Sequence, residues 1–263
     1  MQKICSENQK EALHKILLKD TINCFYIYMN LLKYGYANSN VDFFINREKD
    51  PTFVLMRYYN SCQLFGNPNK EDIKKTLDLI IKINPTIITG TKPTVDTFFN
   101  YLSDIYDISY GYTFELTSFP TFKFPCIDIP SDEELYDCAK LIQSDRTIGS
   151  YYQVDSLYEQ LVNRRAAGFG RNYIIKNDDQ IIGHIATYAE NEEFASTAGL
   201  IVKEGYRNLP YGTFLESYLV NELLSEGKRV VSFLREERRL KYYKKLSVGT
   251  FNINGKLQLK AEV

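Results

Sequence analysis

Leu200-Ile201-Val202-Lys203-Glu204-Gly205-Tyr206-Arg207-Asn208-Leu209-Pro210-Tyr211-Gly212-Thr213 is the stretch that decides how this chain is read. Its apolar start ends a strand, and from about 211 to 226 Phe214, Leu215, Tyr218, Leu219 and Leu223 fall on one side of a long helix that stops at Gly227. Between the two lies a tight loop with Arg207 at its head and Gly212 near its end. The first turn of a helix leaves about four backbone N–H groups unpaired and carries partial positive charge, so such a turn can hold a phosphate or pyrophosphate, with Arg207 adding a fixed charge. Spacing alone does not separate this from a purely structural glycine-containing turn.

Downstream, Lys228–Leu234 reads as a strand, residues 236–245 as a charged helix, and Asn254-Gly255 as the turn of a closing hairpin. Upstream, Ser131 and Glu134 form a capping box ahead of Leu135, Cys138, Ala139 and Ile142, and Asp155 caps a second helix running to about Gly168. Three strands are expected at about 171–176, 181–188 and 195–203, the first two joined at Asn177-Asp178-Asp179. Pro120, Pro125 and Pro130 mark a change of character, which puts a domain boundary near 118 and predicts domains 1–118 and 119–263. The first of these alternates helix and strand: a helix over 7–22, strands at 53–59 and 62–65, a helix capped by Asn69 and carrying Ile73, Leu77, Ile80 and Ile81, a strand at 86–89, and a helix with Val95, Phe98, Phe99 and Leu102. This is an α/β unit on one sheet.

Composition narrows the function classes. With 32 basic against 33 acidic residues the formal charge is −1, too small for the overall field to attract a nucleic acid. Five cysteines without a CxxC pair, and His14 and His184 as the only imidazoles, make a poor inventory for a disulfide framework or a zinc site. The N-terminus turns polar within Met1–Glu7 and no apolar run approaches ~18 residues, so a cytoplasmic protein without a membrane segment is expected.

The 200–213 segment resembles motif A of the GNAT acyltransferase superfamily, a strand followed by Arg/Gln-x-x-Gly-x-Gly/Ala and a helix. Arg207 and Gly212 stand at its first and last positions, with Val202 and Tyr206 in the lead-in. Leu240-Lys241-Tyr242-Tyr243-Lys244-Lys245-Leu246-Ser247-Val248 is similar to the family's closing motif, and the order of elements agrees over about 120–260. Three departures stand out: Pro210 replaces a glycine and brings no N–H, Glu236 replaces an Asn, and Ser247-Val248 replace Gly-Phe. Phe25–Asn30, Leu55–Asn60 and Ile87–Lys92 resemble the first module of a bacterial two-domain subgroup, a reduced GNAT half without its own cofactor loop, and no Arg-x-x-Gly-x-Gly occurs before 118.

The resemblance implies an α/β (α+β) GNAT acyl-CoA N-acyltransferase fold in the C-terminal half and a smaller, degenerate GNAT-like α/β domain before it. It implies acetyl-CoA or another acyl-CoA as donor, an amine as acceptor, and no metal. Leu200, Ile201 and Val202 would hold the pantetheine by backbone bonds, and Arg207, Asn208, Leu209, Pro210, Tyr211, Gly212 and Thr213 would hold the pyrophosphate. Tyr243 would donate a proton to, or hydrogen-bond, the departing thiolate. Glu190, ahead of Glu192 and Glu193 on the turn entering the acyl-CoA strand, is the candidate base, with His184 as another. The basic run Arg235, Arg238, Arg239, Lys241, Lys244 and Lys245 reads as a solvated helix face ahead of the alternative, an attractor of the coenzyme's phosphates or of an acidic substrate. A non-catalytic acyl-CoA-binding module is the alternative to an enzyme.

Overall fold

In a computed structural model, which describes residues 1–123, 126–145, 149 and 153–260, the chain forms two compact units. Met1–Thr113 with Phe251–Val263 forms the first and Phe114–Thr250 the second. The secondary structure is mixed α/β, as expected.

In the first unit, α1 (Glu7–Leu18) ends four residues before the close of the helix expected over 7–22, and α2 (Phe25–Tyr34) follows where no helix was expected. The antiparallel run is β1 (Gln2–Lys3), β2 (Val41–Ile45), β3 (Phe53–Tyr58) and β4 (Ser61–Gly66). From β4 the chain crosses over through α3 (Lys70–Ile83) to β5 (Ile87–Thr91), which pairs with β4 in parallel. A parallel pair cannot be joined by a tight turn, so this helix is the price of the topology. The Asn69 and Asp72 side chains close the α3 capping box. Ile80 is buried and Ile73 and Leu77 pack partly against the core, but Ile81 is 68% exposed, so the expected four-residue stripe loses its last member. On α4 (Lys92–Leu102), Val95 and Phe98 meet Phe53, Leu64 and Ile88, with Phe98 stacked on Phe53. The long strand β6 (Tyr106–Leu116) has no counterpart in the sequence reading, and the division of the units falls within it.

The closing hairpin is not formed. Residues Gly249–Leu259 make one strand, β11, whose Gly255 lies opposite Gly90 of β5. A Cβ at Gly255 would come within 2.7 Å of Val95, so this glycine serves a close approach by α4 rather than a turn. Its consequence is that the last strand completes the first unit, and the second unit ends at Thr250.

The second unit opens on α5 (Asp132–Gln143) with the expected Ser131–Glu134 capping box. In α6 (Val154–Ala166) Gln153, not Asp155, is the N-cap, and Asp155 instead accepts a hydrogen bond from Tyr136. β7 (Asn172–Asn177) and β8 (Gln180–Glu190) turn at Asp178 and Asp179, both at positive φ as a tight hairpin requires. β9 (Phe194–Val202) is antiparallel to β8, and β10 (Arg229–Leu234) runs parallel to β9, reached through α7 (Tyr211–Ser225). α8 (Glu237–Leu246) follows. Ile174 and Ile201 pack into the core made by α5 and α6, whereas Val202 and Gly183 face Gly212 and Leu215 of α7. Helices therefore cover both faces of the sheet, and the alternation of side chains along β9 sends neighbours to opposite layers.

Ser247, at φ 51 and ψ 40, caps α8 in the left-handed region where a glycine is favoured, and Val248 after it is fully buried. The replacement of Gly-Phe thus keeps the helix stop and the apolar plug. Among the described residues no helix is long and apolar enough to cross a membrane.

Candidate active site

β9 and β10 pair over Phe194–Thr197 and Arg229–Ser232 only. Beyond that, Ile201 and Val202 stay paired with His184 and Gly183 of β8, Leu200 sits beside an irregularity in that pairing, and among the described residues the other edge of 200–202 has no strand partner. A single 3-10 turn at Glu204–Tyr206 then leads to the loop, and α7 begins at Tyr211 with Pro210 in the N-cap position. Among the described residues no side chain caps α7. The Pro210 carbonyl accepts from Phe214 N–H, as a cap carbonyl should, which leaves the N–H groups of Tyr211, Gly212 and Thr213 as the open donors of the first turn.

These elements line a cleft of about 680 Å³ within the second unit. Leu200, Ile201 and Val202 form one wall, and Arg207, Asn208, Leu209, Pro210, Gly212 and Thr213 the next. Tyr211 is the single predicted loop residue not on the wall; its ring turns to Tyr206, 6.1 Å away. A Cβ on Gly212 would touch only the Val202 side chain, at 3.4 Å, so larger side chains there project over the cleft. The third wall is Glu236, Arg238, Arg239 and Tyr242, at and beyond the start of α8, and Asp145 closes the rim.

Arg207 is held at both ends: Nε donates to the Val202 carbonyl at 3.0 Å and Nη2 to Asp145 at 3.0 Å. Asp145 lies 62 residues away in sequence and no motif points to it. The basic run after β10 divides. Lys241 is exposed and pairs with Glu237 on its own helix, whereas Arg239 turns inward to Glu216 of α7.

The two residues assigned catalytic roles do not join the cleft. Tyr243 is fully buried, its ring edge-on to Phe114 and Phe119. Its hydroxyl donates a short bond to Glu216 Oε1, with Arg239 Nη2 at 3.2 Å and Ser232 Oγ at 3.4 Å. Burial, and then the neighbouring Glu216 charge, push this phenol far above its ordinary value, the wrong direction for a proton donor at neutral pH. The tyrosine on the cleft wall is its neighbour Tyr242, whose hydroxyl lies 3.4 Å from Thr213 Oγ1. One residue along a helix turns a side chain by roughly 100°, which is why a motif carrying two adjacent tyrosines leaves open which faces the ligand.

Glu190 is buried at the end of β8, where Lys228 donates to it at 2.6 Å, Arg171 at 3.0 Å and Thr187 at 2.8 Å. Burial alone would raise its carboxyl, but these three donors hold it below the ordinary value, which leaves a poor base. His184 is wholly buried, with Nδ1 2.9 Å from the Gly199 carbonyl and Nε2 3.0 Å from Asn172 Oδ1. Burial lowers its pKa to about 4. Glu192 and Glu193 are exposed.

Residues 135–247 match the acetyltransferase (GNAT) family. The second unit is a GNAT domain. The fold is shared over nearly the whole chain with a Drosophila protein at 14% identity, covering 98% of each chain with a TM-score of 0.70. A GCN5-related N-acetyltransferase-like protein from Streptococcus suis covers 96% of this chain and 100% of its own, at 14% identity and a TM-score of 0.58. A tandem GNAT protein from the clavulanic acid biosynthesis pathway covers 100% of this chain and 99% of its own, at 14% identity and a TM-score of 0.56. No curated protein matches the chain by sequence. What these likenesses establish is an N-acyltransferase fold.

The GNAT domain's cleft suits a coenzyme A thioester in three respects. The strand edge at 200–202 leaves backbone amides for a pantetheine arm, the uncapped start of α7 offers N–H groups to a pyrophosphate, and Gly212 keeps the approach to that helix open.

Proposed function

We propose that this protein transfers an acyl group, most simply acetyl, from coenzyme A to an amine. The observation that carries the reading is the meeting, in one cleft, of an unpaired β9 edge with the uncapped N-terminus of α7. Bound there, the thioester would supply an activated acyl group. Leu200, Ile201 and Val202 would align it through their backbone, and the N–H groups of Tyr211, Gly212 and Thr213 would meet phosphate oxygens. Arg207 would join them by exchanging Asp145 for phosphate. Rate would come chiefly from holding amine and thioester together in a site screened from water. Tyr243 and Glu190 touch no ligand in this reading, since both are enclosed by partners of their own.

Gly212→Glu tests it. The new carboxylate would stand at the helix start beside the phosphates, so calorimetric affinity for coenzyme A should be lost while the fold is kept. Unchanged affinity in a folded variant would sink the assignment.

A second reading, an acyl-CoA-binding module without turnover, is favoured by Pro210, which removes one N–H donor, and by the withdrawal of Tyr243 from the cleft. Mass-spectrometric screening of amines with acetyl-CoA separates the two. Mass gain on an amine supports the enzyme, and tight coenzyme binding without thiol release across the panel supports the module.

A further inference from the structure

Most charges facing the cleft are spent on one another. Arg207 is taken by Asp145 and Arg239 by Glu216, while Arg238 and Glu236 stand exposed at the rim. The Arg239 pairing is incomplete in a particular way. Its contacts to Glu216 and to the Tyr243 hydroxyl both run through Nη2. A guanidinium has five N–H donors, so the one on Nε and the two on Nη1 are left, and among the described residues none of them has a partner. The Arg239 side chain is 30% exposed and lines the cleft. It is also fixed: Glu216, 3% exposed, anchors it from behind, and the Tyr243 ring lies 5.3 Å from its guanidinium carbon. A cation already held in place, with three of its five donors free, is a recognition group for an oxyanion.

The opposing charges say which oxyanion. Glu216 behind and Glu236 on the rim oppose a second negative charge, and the phosphates are assigned to the separate wall at 207–213. Nη2, which belongs to both two-pronged edges of the guanidinium, is already taken, so Nε and Nη1 offer single bonds on separate edges, enough for one oxygen of a singly charged carboxylate. We propose that Arg239 is a specificity-determining residue that takes a carboxylate carried by the substrate. This rests on the acyltransferase reading, in which the carboxylate has two sources: an acyl group that ends in one, or an amino-acid acceptor with a free α-carboxylate.

The test uses the full-length protein in two calorimetric arms. The first compares coenzyme A, acetyl-CoA and succinyl-CoA; the second compares a panel of amino acids with their amides. A preference of about tenfold or more for the carboxylate form in either arm is expected, and the arm that shows it names the source. Arg239→Gln alone would leave Glu216 buried without a counter-charge, so the variant of choice is E216Q/R239Q, which removes both charges. It should abolish the preference and leave coenzyme A affinity within about threefold. R239K, which keeps the charge on a compact, strongly hydrated ammonium, should fold and retain only part of the preference. Absence of a carboxylate preference in both arms overturns the proposal, as does an equal weakening of all three coenzyme ligands in E216Q/R239Q, which would make Arg239 a phosphate contact. If no coenzyme ligand binds at all, the acyltransferase reading fails, and the amino-acid arm decides the carboxylate site by itself.

Discussion

Replacing Tyr243 with Phe separates a tyrosine that acts on substrate from one that supports the wall behind it. The hydroxyl is buried and donates to a buried carboxylate, Glu216, which also holds Arg239. The ring itself would stay edge-on to Phe114 and Phe119, so no cavity larger than one oxygen opens. The loss is then one hydrogen bond to a charged group, about 1.5–3 kcal/mol of stability. Because the chain has no tryptophan, far-UV circular dichroism is the convenient probe, and the urea midpoint of the second unit should fall by roughly 1 M for an m-value of about 2 kcal/mol/M. Turnover on any amine found to be acylated should stay within about threefold of the parent at temperatures where both are folded. A fall of about 100-fold in kcat with an unchanged midpoint would refute this reasoning, because it would place the Tyr243 hydroxyl at the reacting atoms instead of in the core.

Pro210→Gly restores an N–H beside the α7 start and should tighten coenzyme A by about 1–2 kcal/mol, less what glycine's flexibility costs; weaker binding by calorimetry would mean that the proline organises the loop. Gly255→Ala should destabilise the first unit by about 1–3 kcal/mol in urea unfolding, since its Cβ would collide with Val95; a neutral result would return Gly255 to a turn role. His184 is neutral when folded, with its pKa lowered to about 4 by burial, whereas an unfolded histidine titrates near 6.5. Between those values the unfolded state binds more protons, so stability should be complete above about pH 6.5 and fall as pH drops toward 4, by up to about 1.4 kcal/mol per pH unit. A His184→Gln variant with the same pH dependence would show that other groups carry it.

What could be read from the chain alone was whatever neighbours in sequence decide. Ser131 with Glu134, and Asn69 with Asp72, start helices through bonds that span three residues, and both boxes form. The β9–loop–α7 passage is likewise local, a strand end, a turn and a helix start, and nine of its ten candidate residues line one cleft. Glu216 had one faint signal, a carboxylate between Leu215 and Leu219 on the buried side of α7.

Contacts between distant segments were a different matter. Asn254-Gly255 has the composition of a turn, yet the strand continues because Gly90 lies opposite and α4 needs the missing side chain. Tyr242 and Tyr243 are the same residue type one position apart, and only the packing of α8 on α7 sends one to the cleft and the other to Glu216. Glu190 reads as a free carboxylate until Arg171 and Lys228 arrive from the residues just ahead of β7 and β10. Asp145 meets Arg207 across 62 residues. Local propensity and periodicity set where elements begin and which side is apolar; which polar groups find each other in the interior is decided by tertiary packing, because a buried charge must take the partner that the fold brings within reach.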